Sequence, residues 1–122
     1  MSGYNLTRTI PVEDGYDIVV AGGGPAGVAA AVSAGRLGLK VLLVEALGCL
    51  GGLGTSGMVA AFGPMSDGVR RLAKGFIGEV VDRMYERGWF RPGITPERWT
   101  ATYNRWAQYN PEGLKVIYDE FV

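Results

Sequence analysis

The feature that most constrains the fold is a glycine cluster between two short aliphatic runs. The first run is Ile18–Ala21, and the cluster Gly22-Gly23-Gly24-Pro25-Ala26-Gly27 follows it directly. An alanine-rich stretch then extends to Gly38, and a second aliphatic run covers residues 40–45. Short continuous apolar runs are typical of parallel strands that are buried on both faces. The order therefore predicts a strand, a tight turn, a helix over 25–38 and a second strand, which together form a right-handed βαβ unit.

The glycine cluster matches the pattern G-x-G-x-x-G in the structural context that this pattern requires. Gly22 permits the tight turn, Gly24 lets a pyrophosphate approach the backbone, and Gly27 lets the helix pack closely on the strand. Pro25 and Ala26 lie in the first helical turn, where free N–H groups and the helix dipole attract phosphate. The cluster predicts a dinucleotide site; the alternative is a glycine-rich turn with a purely structural role.

An acidic residue stands at the end of the second strand. Glu45 follows Gly27 by 18 residues. A carboxylate at this point accepts hydrogen bonds from both ribose hydroxyls and repels a 2′-phosphate. The alternative is a solvated acid that only ends the strand.

The segment after this acid favours one dinucleotide over another. Residues 46–57 contain five glycines in twelve positions. Close approach of the backbone to a ligand is one reason for so many glycines, and mobility is another. A simple NAD domain needs no such loop, so the segment favours FAD, with an NAD-binding module of a dehydrogenase or reductase as the alternative.

These segments together resemble a known family. The stretch from Tyr16 to Phe62 is similar to FAD-dependent oxidoreductases with the glutathione-reductase-type dinucleotide fold, which are relatives of the fumarate reductase flavoproteins. The matching pieces are DIVVAGGGPAGVAAAVSAGRLGLKVLLVE and LGGLGTSGMV. The resemblance covers residues 8–87 well and extends to 111–122. It implies an FAD-dependent oxidoreductase acting on a small-molecule substrate that the sequence does not identify.

The resemblance also implies a set of cofactor-binding residues. Glu45 would bind the adenosine ribose, and Ala46 stands where many relatives carry a basic residue near the adenine. The doublet Gly51-Gly52 and the following Thr55 and Ser56 would pass along the diphosphate toward the flavin. No catalytic residue is assigned, and no metal site is predicted.

The predicted fold class is α/β, a Rossmann-like βαβ unit that binds FAD or NAD(P), followed by helices and incomplete without further segments. Residues 1–15 form an N-terminal arm, 16–63 the dinucleotide-binding unit with its glycine-rich loop, and 64–122 a truncated helical segment that begins a cap or substrate region. Flavoproteins of this kind run to several hundred residues, and later segments complete their FAD domain. The expected partner is therefore a companion polypeptide or the remainder of the enzyme; a non-catalytic fragment that folds only on such a partner is a further alternative.

The second half of the chain carries helical patterns. An apolar stripe ends at Gly88, which is expected to stop its helix. Thr95-Pro96 and Asn110-Pro111 are each typical of a helix start. The apolar positions of the first and last predicted helices are Leu72, Phe76, Ile77, Val80, Val81, Met84 and Tyr85, and then Leu114, Ile117, Tyr118 and Phe121.

Composition excludes several classes of function. Twelve basic and twelve acidic residues give no net charge, so no overall field attracts nucleic acid or an anionic membrane. The chain has no histidine, and one cysteine excludes an internal disulfide. No apolar run approaches the roughly 20 residues that span a bilayer. The expected location is the cytoplasm.

A few residues allow two interpretations each. Cys49 is either redox-active or attached to flavin, or else a small apolar filler. The aromatic residues near position 100 either line a pocket or dock a partner, or else cover the core. The nearby arginines either grip a substrate carboxylate or lie on the surface. The aromatic residues are Trp99, Tyr103 and Trp106, and the arginines are Arg91, Arg98 and Arg105. Three methionines, Met58, Met65 and Met84, are expected in the core.

Overall fold

A computed structural model describes residues 3–100 and 106–122, apart from the side chain of Trp99. These residues form four strands and four α-helices, with one 3-10 turn at Gly52–Gly54. In chain order they are β1 (Ile18–Ala21), α1 (Pro25–Arg36), β2 (Val41–Val44), β3 (Ala61–Phe62), α2 (Phe76–Glu86), α3 (Pro96–Thr100), β4 (Ala107–Gln108) and α4 (Pro111–Asp119). The prediction of an α/β chain is confirmed.

The β1–α1–β2 segment follows the predicted order. The strands β1 and β2 are parallel, in a register that pairs Ile18 with Val41 and Ala21 with Val44. Helix α1 ends at Arg36, and Gly38 then adopts a φ of +84°, as expected for a glycine just after a helix. The helix and both strands are within one or two residues of their predicted bounds.

The prediction that the first strand is buried on both faces is wrong. Side chains alternate between the faces of a strand. Val20 faces α1, since its Cγ1 is 3.4 Å from the position a Cβ would take on Gly27. Val19 is 62% exposed, and Val44 on β2 is 50% exposed. Within the described residues, α1 is the helix that contacts both strands, so it covers one face of this two-stranded sheet and leaves apolar side chains on the other.

A second, antiparallel sheet was not predicted. β3 pairs with β4, with Ala61 opposite Gln108 and Phe62 opposite Ala107. An isolated bridge extends the pairing from Phe90 to Tyr109. The rings of Phe62 and Tyr109 lie 4.4 Å apart between centroids, which anchors these short strands. Residues 64–122 are therefore mixed in structure rather than purely helical.

The core lies where α1, α2 and α4 meet. Its buried members come from both halves of the chain, so the predicted dinucleotide unit and the segment after it share one core. The helical stripe is confirmed from Phe76 onward and ends as predicted, with Gly88 at a φ of +70°. The members that the helices contribute are Val28, Val32, Val80, Val81, Met84, Leu114, Ile117 and Tyr118.

Leu72 and Tyr85 of the predicted stripe, and Met58, which was expected in the core, are exposed. Leu72 is 55% exposed because α2 begins only after Gly75, whose φ is +68°. Met58 is 71% exposed, and its φ of +59° directs the side chain away from the protein. Met65 packs against the core, and Met84 is fully buried, as expected.

The predicted helix starts are confirmed. The Asn110 side chain accepts a hydrogen bond from the Glu112 N–H at 3.0 Å, which caps α4. The Thr95 hydroxyl accepts one from the Arg98 N–H at 3.2 Å. Trp106 follows α3 without being part of it and is 60% exposed. Tyr103, Arg105 and the Trp99 side chain lie outside the described residues.

Two helical glycines provide a matched test of the packing. A Cβ on Gly113 would lie 2.3 Å from Trp89 Cδ2, whereas a Cβ on Gly35 meets nothing within 4 Å among the described residues. Gly113→Ala is expected to lower the free energy of unfolding by about 1–3 kcal/mol through overpacking. Gly35→Ala is expected to raise it by roughly 0.5–1 kcal/mol through helix propensity. Urea unfolding of both variants checks this; equal effects would contradict the packing of Trp89 on α4.

Candidate functional site

The amino-terminal end of α1 is open. Gly24 is the N-cap, none of the described side chains caps the helix, and no acidic residue lies in its first turn. A Cβ added to Gly22 or to Gly24 would meet no described atom within 4 Å. Pro25 and Ala26 are exposed. Free N–H groups and the helix dipole therefore face a space that suits an anion.

Gly27 holds the helix against the strand. A Cβ on this residue would lie 1.8 Å from the carbonyl oxygen of Gly22. No rearrangement of a side chain relieves that contact, because the opposing atom belongs to the backbone. Gly22 itself has a φ of +104°, a left-handed conformation that glycine adopts at little cost. The tight turn and the close packing predicted for these two residues are both present.

Gly23 joins three segments, namely its own turn after β1, Glu45 at the end of β2, and the glycine-rich loop at Gly51. This role of Gly23 was not predicted from the sequence. Its N–H donates to Glu45 Oε2 at 2.6 Å, and its carbonyl accepts from the N–H of Gly51 at 2.8 Å. A Cβ here would lie 2.4 Å from Leu50 Cδ2. The only available signal was that the middle position of the glycine run is itself a glycine.

Glu45 is held by two backbone N–H groups. Its Oε1 accepts from the N–H of Leu47 at 2.8 Å, and its Oε2 accepts from Gly23. These hydrogen bonds, that of Leu47 first, lower the pKa of the Glu45 carboxyl and outweigh the opposing effect of desolvation. An ionised carboxylate has about four acceptor positions, so two remain for other donors.

The glycine doublet lies beside the helix end. Gly51 and Gly52 adopt φ values of +101° and +53°. A Cβ on Gly52 would lie 3.2 Å from the Cα of Gly24. The chain therefore brings together the N-terminal end of α1, the acid at the end of β2 and the doublet, which are distant in sequence.

The remaining predicted residues differ in accessibility. Thr55 is fully buried, and its hydroxyl donates to the carbonyl of Leu50 at 2.7 Å. Ser56 is exposed, and its Oγ lies 3.0 Å from Cys49 Sγ. Ala46 is exposed next to Glu45. The Thr55 side chain thus bonds to the loop itself rather than facing the open end of α1.

A tyrosine from the second sheet supports the loop. The hydroxyl of Tyr109 donates to the carbonyl of Gly54 at 3.1 Å, with the carbonyl of Val59 at 3.2 Å as a second acceptor. Burial raises the pKa of Tyr109. The neutral hydroxyl that donates is therefore favoured. This contact was not predicted because β4, which Tyr109 directly follows, was not predicted.

Comparison with known proteins identifies the family. Residues 17–122 match the profile of the family described as FAD dependent oxidoreductase. The chain belongs to this family. The predictions of an FAD-dependent oxidoreductase and of FAD as the cofactor are confirmed at the level of the family. The family match favours them over the alternative of a separate NAD-binding module.

Similarity to individual proteins is confined to a short segment. A dihydrolipoyl dehydrogenase of Trypanosoma brucei brucei is 53% identical over 45 residues, which are 37% of this chain and 9% of that protein. A mitochondrial dihydrolipoyl dehydrogenase of Dictyostelium discoideum is 58% identical over 36 residues, 30% of this chain and 7% of its own length. A leghemoglobin reductase of Glycine max is 54% identical over 39 residues, 32% and 8% of the two chains. The matched segments thus span less than a tenth of these relatives, and no solved structure matches significantly.

The described helices are short, and the longest of them, α1, has 12 residues. Over the part of the chain that the structure describes, none is both long and apolar enough to cross a membrane.

The two hydrogen bonds of the Glu45 carboxylate can be tested without a cofactor, because they lower the pKa of this carboxyl. A lowered pKa means that its hydrogen bonds to Gly23 and Leu47 stabilise the fold above the unfolded-state pKa and are lost as the pH falls through the folded one. The amide proton resonances of these two residues should titrate together, with an apparent pKa below the ordinary 4.5. Nuclear magnetic resonance checks this, with Glu45→Gln as the control that abolishes the titration. Independent titration of the two amides would contradict the arrangement.

Proposed function

We propose that this chain forms the part of an FAD site that binds the ADP half of the cofactor, within a larger flavoenzyme. The observation that carries the proposal is the open end of α1 framed by Gly24 and Gly52, with Glu45 connected to it through Gly23. Pyrophosphate would lie over the N-terminal turn formed by Gly22, Gly24, Pro25, Ala26 and Gly27. FAD supplies the redox chemistry when bound, and the protein positions it.

Each other site residue has a proposed role. Glu45 accepts hydrogen bonds from the adenosine ribose, and Ala46 lies near the adenine. The doublet Gly51-Gly52 follows the diphosphate toward the flavin, with Ser56 beyond it. Thr55 shapes this loop from inside, because its hydroxyl bonds to the loop carbonyls.

The proposed fold is a Rossmann-like βαβ unit that further segments complete. We propose the divisions 1–15 for an arm, 16–63 for the dinucleotide-binding unit and 64–122 for the beginning of a cap or substrate region. The parallel order of β1 and β2 around α1 supports the unit. The core shared with α2 and α4 supports the view that the unit and the following segment fold together.

A further polypeptide, either a companion chain or the rest of the enzyme, is proposed to cover the exposed apolar surfaces. The uncovered face of the sheet presents Val19 and Val44. A cavity of about 540 Å³ lies between α1, β2 and the end of α4, and its lining includes Leu43 and Phe121. Exposed apolar patches of this kind mark interfaces. The matched segment makes up 9% of the length of the trypanosomal relative, which agrees with such an addition.

The substrate is proposed to be a small molecule, bound with residues that the further polypeptide contributes. The chain has a single cysteine. A substrate reaction through a disulfide formed within this chain is therefore excluded, even though several relatives are dihydrolipoyl dehydrogenases. We place the enzyme in the cytoplasm, where a lone thiol remains reduced.

Removing the open space at Gly24 should abolish FAD binding without unfolding the protein. Gly24 has a φ of −67°, which any residue adopts, and its Cβ would enter free space. Gly24→Val is therefore expected to keep the unfolding midpoint of the cofactor-free protein and to lose bound FAD, measured by flavin absorbance in the complete assembly. Gly3→Val, in the exposed N-terminal arm where a Cβ also meets no described atom within 4 Å, is the control that retains FAD. Equal FAD content in all three proteins would reject the proposed site.

The need for a further polypeptide is tested by expression. Residues 1–122 alone should yield an aggregated or poorly packed chain, judged by size-exclusion chromatography and near-ultraviolet circular dichroism. Co-expression with the polypeptide that completes the flavoprotein should give a cooperative unfolding transition and one FAD per assembly. A monomer that unfolds cooperatively and binds FAD stoichiometrically on its own would show that no completion is required.

A further inference from the structure

A second concave site lies away from the proposed cofactor residues. A cavity of about 250 Å³ opens between the turn at residues 91–94 and strand β4. Its lining includes Arg91, Arg98 and Trp106, and it shares no residue with the open end of α1. The cavity is smaller than the ~300–1,000 Å³ typical of sites for drug-sized ligands, so it has room only for a small molecule.

The walls of this cavity are fixed by backbone hydrogen bonds. The Arg91 N–H donates to the carbonyl of Gln108 on β4 at 2.9 Å, and the Ile94 N–H closes the turn on the Arg91 carbonyl at 3.1 Å. Gly93, inside the turn, has a φ of +83°. Arg98 Nη1 donates to the Gly93 carbonyl at 3.1 Å, which ties α3 to the turn. A site with such restrained walls loses little entropy when it binds a ligand.

The charge of the lining is positive. Two arginines contribute to it, and the lining that the structure describes contains no acidic side chain. In residues 3–100 and 106–122, the Arg91 guanidinium has no ion pair or hydrogen bond. Five other arginines each have an acidic partner, namely Arg36, Arg70, Arg71, Arg83 and Arg87. Arg91 therefore retains a full set of donors for an anion.

An aromatic wall stands beside these charges. Trp106 is 60% exposed although it is one of the largest apolar side chains. Its six-membered ring lies 3.9 Å from the position that a Cβ would take on Gly63, at the end of β3. The indole thus rests beside the backbone while contributing apolar surface to the cavity. An exposed indole of this kind stacks on flat or apolar groups.

We infer that this cavity binds a small organic carboxylate whose apolar body packs on Trp106. The guanidinium group of Arg91 matches a carboxylate in two parallel hydrogen bonds, and Arg98 adds a second positive charge. The inference does not depend on FAD binding, since the two sites share no residue.

Benzoate and succinate are the probes, with benzamide as the uncharged equivalent of benzoate. Isothermal titration calorimetry on the complete flavin-containing protein should detect at least one of the two carboxylates and much weaker binding of benzamide. Arg91→Gln should raise the Kd of the bound carboxylate about tenfold or more, because a charge-assisted hydrogen bond is lost. Arg91→Lys, which keeps the charge but not the paired donors, should give an intermediate Kd. Trp106→Leu should weaken benzoate more than succinate.

Controls separate this site from general charge effects. Arg8→Gln removes one charge from the exposed N-terminal arm and should leave the Kd unchanged. Circular dichroism establishes that each variant is folded, and flavin absorbance reports the cofactor site separately. Absence of binding by both carboxylates, equal binding of benzoate and benzamide, or an unchanged Kd in folded Arg91→Gln would each overturn the inference.

Discussion

The site depends on the pair of hydrogen bonds at the backbone of Gly23. Through its N–H this residue holds the Glu45 carboxylate, and through its carbonyl it holds the N–H of Gly51. The turn after β1, the end of β2 and the glycine-rich loop are thereby joined at one peptide unit. A side chain at this position would displace the end of the Leu50 side chain and crowd Glu45, so glycine suits this position even without any ligand. The proposed cofactor surface is thus held in place by hydrogen bonds within the protein, and such preorganisation reduces the entropy lost on binding.

The glycine-rich loop is explained mainly by packing within the protein. Cβ atoms on Gly51, Gly54 and Gly57 would lie 2.5, 2.8 and 2.7 Å from Thr55, Tyr109 and Leu53, respectively. A Cβ on Gly48 would meet no described atom within 4 Å. Close approach to a ligand and mobility were the two reasons considered from the sequence. The structure adds a third reason for most of these glycines, which is that the loop is folded tightly on its own residues, on Tyr109 and on side chains of α4.

Local signals account for what could be predicted from the sequence. The signals that predicted correctly act within a few residues of one another: the apolar runs, the G-x-G-x-x-G spacing, Gly38 and the Asn110-Pro111 start. The helices and strands that these signals predict are present in the structure. The failures involve contacts between distant residues. The two-residue strands β3 and β4 have no periodicity to detect, and each forms only because the other lies opposite. The exposure of Val19 likewise depends on which layers cover the sheet, and a strand's own residues carry no information about that. Gly23 was missed because its partners Glu45 and Gly51 lie more than twenty residues away.

Strand β4 connects the two sites of the molecule. On one side, Tyr109 follows β4 and holds the glycine-rich loop through Gly54. On the other side, the carbonyl of Gln108 within β4 holds the turn that carries Arg91. The two attachments are the adjacent residues Gln108, within β4, and Tyr109, directly after it. The glycine-rich loop and the turn that carries Arg91 are therefore both tied to one short peptide segment, so the position of each constrains the other.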